Sequence, residues 1–392
     1  LKYVTEDLAT NIGGTGLVGS ELVKKLSADP RYEPVAIIRN TLTASVLGRD
    51  RHYVRIGSIT DADSANRLLG DCQVVVNCTY AGESPAARKG NLSLVQSLAD
   101  TRSAKTIVNM SSVSVHASPF EACRMNFADP KPNSSYGEDK LAMEGILSRS
   151  LDDTDIQYYL LRMGHVFGAG QNASKLVLRD VQTLEFELPF GGRLASNALS
   201  ISRATDGIIG LIADPPANGV YNFMDEPNRT WREIYDLHTK AWNLPPVLSM
   251  PDDKSHELRN FHLSQFGSRR PPVSQSIRRQ LKSSAKFLIR NPATNNATTK
   301  KLYLRFRERV PARVDRRVMS TFGDGEQRLE MAAFDEARAK PSWLLTGDPI
   351  PGRNVPETVE SVESRTSLAA GLRDWYENLT SFQWDTSEFD TH

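Results

Sequence analysis

A doubly wound α/β fold, with helices on both faces of a parallel sheet, is what this sequence predicts, and three observations predict it. Strand-like apolar runs alternate with helical patterns through the N-terminal part of the chain. The first run breaks into a glycine-rich turn, Gly13-Gly14-Thr15-Gly16-Leu17-Val18-Gly19, immediately before a helical pattern. Further on, Tyr136 and Lys140 stand four residues apart, one helical turn, downstream of an apolar fifth strand that ends in two serines.

Taken in order, Ala9 to Ile12 reads as the first strand, polar for a buried position because of Thr10 and Asn11. The glycines let a backbone approach a pyrophosphate, and free N–H groups at the start of the following helix (Leu22, Val23 and Leu26 on one side) face its charge. Strand, glycine turn and helix in that order predict a dinucleotide site. The second strand, Val35–Ile38, ends in Arg39-Asn40, where an NAD-selective site carries a carboxylate for the ribose hydroxyls. An arginine there pairs with a 2′-phosphate, so NADP(H) is expected over NAD(H). A strand at Val54–Gly57, a helix from Asp61 to Leu69, a strand at Val74–Cys78, a helix around Asn91–Leu98 and a fifth strand at Thr106–Met110 continue the alternation. Later come a strand at Gly219–Phe223 and a helix from Thr230, whose Thr230-Trp231-Arg232-Glu233 has capping-box spacing.

The Tyr136 and Lys140 pair is a usable acid. A phenol titrates near pH ~10, and an adjacent ammonium favours its ionised form, bringing proton transfer closer to neutrality. Reduction of a carbonyl builds negative charge on oxygen, so a proton source and a hydrogen-bond donor aimed at that oxygen are what the chemistry requires. Ser112, at the carboxyl end of the fifth strand, supplies the donor, with its neighbour Ser111 as the rival.

Composition bounds the rest. With 392 residues, 39% hydrophobic and 24% charged, the chain can bury a large core and is expected to form two lobes. No apolar run approaches the roughly 20 residues of a spanning helix. Cys72, Cys78 and Cys123 show no CxxC spacing, and reduced thiols in a cytoplasmic protein with no metal cage are expected. The net charge of +1 hides an uneven distribution: Lys254 to Arg317 holds 5 Lys and 12 Arg against Glu257, Glu308 and Asp315, so a basic block accompanies an acidic body. Ile277, Leu281, Ala285 and Leu288 fall at helical spacing within it, whereas Leu302, Leu304, Phe306 and Val310 fit either a strand or a helix. Covering the active-site mouth, or contacting an acidic partner or an anionic surface, suits such a block; no nucleic-acid motif accompanies it.

The runs GGTGLVG, MSSVSVH, SYGEDK and LLRMGHVFGAG, with a closing Leu368–Tyr376 helix, resemble the successive signatures of the extended short-chain dehydrogenase/reductase superfamily, the epimerase/dehydratase group. The resemblance implies a Rossmann-type sheet with a smaller C-terminal substrate lobe: residues 1–168 for the dinucleotide, 169–253 for the substrate with a partial return to the sheet, 254–340 a basic insertion, and 341–392 a closing segment. It implies catalytic roles for Ser112, Tyr136 and Lys140. Cofactor contacts are implied at Gly13, Thr15, Gly16, Leu17, Val18, Gly19, Arg39, Ser58, Ile59, Tyr80 and Lys140, and substrate contacts at Ser111, His116 and Arg193.

Arg162, Arg179 and Arg203 are further candidates for holding an anionic substrate. The chain departs from the family where Ser58-Ile59 replaces a Gly-Asp pair, where Ala87 replaces an Asn, and where His116-Ala117 replaces Tyr-Gly. Sugar 4,6-dehydratases carry Thr-Asp-Glu where this chain reads Ser112-Val113-Ser114, so dehydration is disfavoured. The expected activity is interconversion of a ketone and a secondary alcohol on a sugar-like or nucleotide-linked small molecule. A nucleotide-sugar epimerase with tightly held dinucleotide is the alternative, and a non-catalytic NADP-sensing scaffold is the alternative of another class. The family's habit of pairing through helices implies a homodimer.

Overall fold

The computed structural model describes residues 7–39, 47, 53–101, 103–116, 130–132, 134–182, 186–267, 353–356 and 371–375. The chain divides into two compact units, Leu1–Asp252 with Trp343–His392, and Asp253–Ser342. In the first unit, strands β1 (Asp7–Ile12), β2 (Tyr32–Ile38), β3 (Tyr53–Ile56), β4 (Val74–Asn77), β5 (Thr106–Ser112) and β6 (Gln157–Met163) alternate with helices α1 (Leu17–Ala28), α2 (Ala62–Leu69), α3 (Pro85–Asp100) and α4 (Ser135–Leu151). Beyond them lie β7 (His165–Phe167), α5 (Asn172–Val181), β8 (Glu187–Leu188), β9 (Ala198–Ser200), α6 (Ile201–Ala213), β10 (Gly219–Phe223), α7 (Trp231–Ala241) and β11 (Leu248–Ser249).

Seven strands form one parallel sheet in the order β10-β6-β5-β4-β1-β2-β3. The order reverses between β1 and β4, the place where open sheets of this kind bind ligands. Alternation along each strand feeds both faces. Val75, Ile107, Tyr158 and Leu160 pack with Leu68, Val95, Leu98, Met143 and Leu147 from α2, α3 and α4. Val74, Val76, Val108, Tyr159 and Leu161 pack on the other face with Leu22 and Leu26 of α1 and Ile208 and Leu211 of α6. Burial on both faces explains why β4 opens on three consecutive valines, and it leaves every residue of β5 buried, the polar ones included.

A third cluster gathers Phe167, Val177, Trp231, Ile234, Tyr235 and Trp242 around β7, α5 and α7, with Leu372 packed among them. The expected Thr230 capping box is present, the hydroxyl accepting from the Glu233 amide and the Glu233 carboxylate accepting in return. Residues 353–356 lie along β10: the Asn222 amide donates to Arg353 at 2.7 Å and the Val355 amide to Asn222 at 2.9 Å. The described part of the second unit lies within helix α8 (Asp252–Gly267). The basic segment expected around Ile277–Leu288 and Leu302–Val310 lies outside the described residues, as does Cys123. No helix among the described residues is long and apolar enough to cross a membrane.

Candidate active site

The glycine turn is shaped by contacts that leave no room for side chains. Gly13 has φ +85°, and a Cβ on Gly19 would stand 2.3 Å from the Gly13 carbonyl oxygen, so α1 can start hard against β1 only with hydrogen at position 19. The Gly16 amide donates to the Gly13 carbonyl at 2.8 Å. Gly16, the residue before α1, provides no side-chain cap, as suits a helix start that meets a ligand anion. Leu17 is exposed at this helix start, Thr15 is half-buried, and Val18 packs on the core, so its side chain is not offered to a ligand.

Arg39 is exposed one residue beyond β2, and Ser58 is exposed just after β3. Ile59, expected beside the cofactor, instead buries its side chain in the core with Leu68 and Leu69, because an isoleucine after a strand gains more from apolar burial than from a polar crevice. Ala87, where an Asn was expected, caps nothing with its side chain. Asn91, one turn later on α3, accepts from the Ala81 amide at 2.9 Å and donates to the Gly82 carbonyl, tying down the loop after β4.

At the carboxyl end of β5, Ser112 is 8% exposed, donates to Ser114 Oγ at 3.2 Å, and stands close enough to Tyr136 to act on its phenol. What brings α4 so close is Gly137. A Cβ there would lie 2.1 Å from the Ser114 carbonyl oxygen, so the helix touches the turn Val113–Val115 at the residue next to Tyr136. Ser134 caps α4 by accepting from the Gly137 amide at 3.1 Å. Lys140, one turn on, is 3% exposed and donates to the Met110 carbonyl at 2.7 Å.

Burial pushes the Lys140 ammonium down to about 8, against the pull of Cys78 and Glu144. The expected acidification of Tyr136 is not what the site displays. Its phenol is pushed up, first by burial, with the neighbouring Ser112 hydroxyl opposing and Glu83 adding to the rise. Lys140 turns its charge to the Met110 carbonyl, and desolvation of the phenolate dominates.

Several expected ligand-binding residues serve the scaffold. Ser111 is 3% exposed and donates to Glu144, whose carboxylate is also gripped by Arg162 through Nη2 at 2.8 Å. A buried carboxylate needs such partners, and that need draws Ser111 and Arg162 away from a ligand. His116 is buried beside Arg162 and Asn222; burial, then the Arg162 charge, pushes it down to about 4, so it is a neutral interior imidazole rather than a substrate contact. Arg193 holds both oxygens of Asp252 at 2.7 Å, and Arg179 pairs with Asp180 at 2.8 Å. Arg203, fully buried, donates to the Val355 and Pro356 carbonyls and so fixes the segment beside β10. Among the described residues no cluster of His, Cys, Asp and Glu could hold a metal.

No sequence motif singles out Asp139 or Arg88. Asp139, 1% exposed, accepts from Tyr80 at 3.1 Å and pairs with Arg88 at 2.9 Å. The signal was available: an acidic residue one position before Lys140 on a helix that buries this face.

The model of the NAD dependent epimerase/dehydratase family matches residues 12–185. That match spans somewhat under half of the chain. The stretch runs from the glycine turn through Ser112, Tyr136 and Lys140, and the resemblance read from the four motifs is borne out. The chain is 24% identical over 256 residues to a UDP-glucose 4-epimerase of Vibrio cholerae, covering 59% of this chain and 76% of that protein. Among solved structures, dTDP-glucose 4,6-dehydratase of Bacillus anthracis in complex with NAD aligns with a TM-score of 0.51 at 18% identity, over 64% of this chain and 89% of that one. UDP-glucuronic acid 4-epimerase of Bacillus cereus in complex with NAD aligns with a TM-score of 0.51 at 19% identity, over 62% and 86%. At these identities the structural likeness speaks to the fold.

Proposed function

We propose that this protein is a nicotinamide-dinucleotide enzyme that interconverts a ketone and a secondary alcohol on a nucleotide-linked sugar. The observation that carries this reading is the convergence of Ser112, Tyr136 and Lys140 at the carboxyl ends of the strands beside the glycine turn. The uncapped amides after Gly16 suit the pyrophosphate, and Lys140 suits the adjacent ribose. When bound, the dinucleotide supplies or accepts the hydride.

The chain's own residues handle the proton. Tyr136, held as a phenol by burial, gives its proton to the substrate oxygen as negative charge builds there. Ser112 hydrogen-bonds that same oxygen and steadies the charge. In the reverse direction the alcohol proton returns to Tyr136. Tyr80 does not compete for this role, since its hydroxyl is committed to Asp139 and its pKa is pushed up by burial and by that carboxylate.

On this reading residues 1–168 hold the dinucleotide and 169–253 the substrate, while 254–340 is an insertion and 341–392 closes the domain. We assign NADP(H) on the strength of Arg39, which is exposed at the end of β2 with no carboxylate at that position. A cytoplasmic setting accords with the spacing of the cysteines, a homodimer with the helix pairing of the family, and an acidic partner or anionic surface with the charge of 254–317. Arg39→Asp is expected to weaken NADPH binding at least about tenfold more than NADH binding, measured by fluorescence titration; equal losses would remove the 2′-phosphate contact.

Tyr136→Phe is expected to lower kcat by about 10³-fold while dinucleotide affinity stays within about twofold. Turnover close to wild type would sink the catalytic assignment. The similarity to a UDP-glucose 4-epimerase favours a second reading, oxidation and re-reduction at one carbon with retained dinucleotide. A purified protein that carries non-exchanging dinucleotide, inverts a UDP-hexose and consumes no net NADPH would decide for the epimerase.

A further inference from the structure

Next to the proposed catalytic pair stands a second tyrosine with its own anchor. The Tyr80 ring meets the Tyr136 ring edge-on, centroids 4.8 Å apart at 87°. Its face is turned to Lys140, whose Nζ lies 5.0 Å from the Tyr80 centroid and 5.8 Å from that of Tyr136. The Tyr80 hydroxyl donates to Asp139 at 3.1 Å, and Asp139 is neutralised by Arg88 of α3 at 2.9 Å. One buried carboxylate thereby joins three pieces of chain: the loop after β4, the start of α3, and the turn of α4 between Tyr136 and Lys140.

We propose that Tyr80, anchored by Asp139 and Arg88, is a positioning residue that fixes the Tyr136 ring and gives the Lys140 ammonium a π face in place of water. The physical need is plain. Lys140 is nearly water-free, its donor bond to Met110 satisfies one N–H, and a desolvated ammonium held by two aromatic faces keeps charge that burial alone would remove. The other groups facing Lys140 are Cys78 at the end of β4, and Tyr136 and Glu144 on its own helix, Glu144 being paired to Arg162 of β6. Among these Tyr80 is the one aromatic ring that reaches the ammonium from the loop after β4. An edge-to-face contact also limits how far the Tyr136 ring can swing, which keeps its hydroxyl at Ser112.

The inference rests on the functional reading above, and its test separates the two. Lys140 is titrated by NMR in ¹³Cε-lysine-labelled protein, its resonance assigned by its loss in Lys140→Met. In Tyr80→Leu the midpoint is expected to fall by roughly half a pH unit or more, and kcat by about tenfold, with KM within about twofold. Tyr80→Phe, which keeps the ring and cuts the anchor, recovers most of the midpoint shift and part of kcat.

The anchor is tested by a cycle of Tyr80→Phe and Asp139→Asn, in which the double variant should lose no more kcat than the worse single one. A folded Tyr80→Leu protein whose Lys140 midpoint does not move overturns the proposal, whatever its turnover. So does a moved midpoint with wild-type kcat, and so does full additivity in the cycle. A wild-type protein with no turnover whose Lys140 midpoint still depends on Tyr80 supports the π contact and counts against the functional reading alone.

Discussion

Gly137 shows how a single residue decides whether the site exists. The tyrosine and lysine are legible in the sequence because their spacing is the helical repeat, and Ser112 is legible because it ends an apolar strand. The reason for glycine between them is not, since it depends on a carbonyl 23 residues earlier in the chain: the Ser114 oxygen occupies the space of the missing Cβ. Gly137→Ala forces α4 away from that turn or distorts it. A loss of about 1–3 kcal/mol in urea unfolding is expected, with a larger relative loss of kcat than of dinucleotide affinity, because Tyr136 retreats from Ser112 while the glycine turn is untouched. Unchanged stability would mean that the turn at Val113–Val115 yields freely. The same dependence on distant partners explains why Ser111, His116 and Arg162 read as ligand contacts. Their types suit a substrate, and only the packing of β5, α4 and β6 reveals that Glu144 and the interior claim them.

Among the elements, α1 with its preceding turn illustrates what pattern alone can supply. Strand, glycines and helix were readable from periodicity and composition, as were β4, β5, β10 and the capped start of α7, because burial on both faces makes apolar runs unmistakable. Boundaries shifted where polar residues extend an element: α3 begins at Pro85, six residues before the expected Asn91, because Ser84 caps it and proline suits its first turn. The parts played by Val18 and Ile59 were invisible because a side chain's face follows from the element it packs against. Gly19 was readable as part of a motif, and its geometry turns that into a quantity. In Gly19→Ala the methyl meets the Gly13 oxygen at 2.3 Å, so the helix start must move off the turn. Dinucleotide affinity is expected to drop by at least about tenfold by isothermal titration, since the amides that face the pyrophosphate move with it. A Gly19→Ala protein that binds as tightly as wild type would refute the close approach.

At the scale of the whole molecule, the buried His238 and the partly buried His165, in and against the third hydrophobic cluster, join the buried His116 in setting how the fold responds to acid. His238 is fully buried, its Nδ1 2.8 Å from the Ile234 carbonyl and its Nε2 2.8 Å from Ser174 Oγ, which itself accepts from the Gly168 amide. That network suits a neutral ring with the proton on Nδ1 and the serine hydroxyl donating to Nε2. His165 packs against Trp231 with centroids 5.5 Å apart. Burial pushes each imidazole down to about 4, whereas the unfolded chain protonates near 6.5. Between those values the unfolded state takes up protons that the folded state refuses, so stability is whole at neutral pH and declines as pH falls from about 6.5 towards 4. At pH 5 the fully buried His238 costs about 2 kcal/mol, a large share of the 5–15 kcal/mol typical of a folded domain. The urea midpoint is therefore expected to fall steeply between pH 7 and pH 5. His238→Gln retains hydrogen-bonding groups but cannot titrate, so even if it is weaker at both pH values, its pH 7 to pH 5 loss should shrink by about 2 kcal/mol. A loss of wild-type size in that variant would place the acid sensitivity elsewhere in the chain.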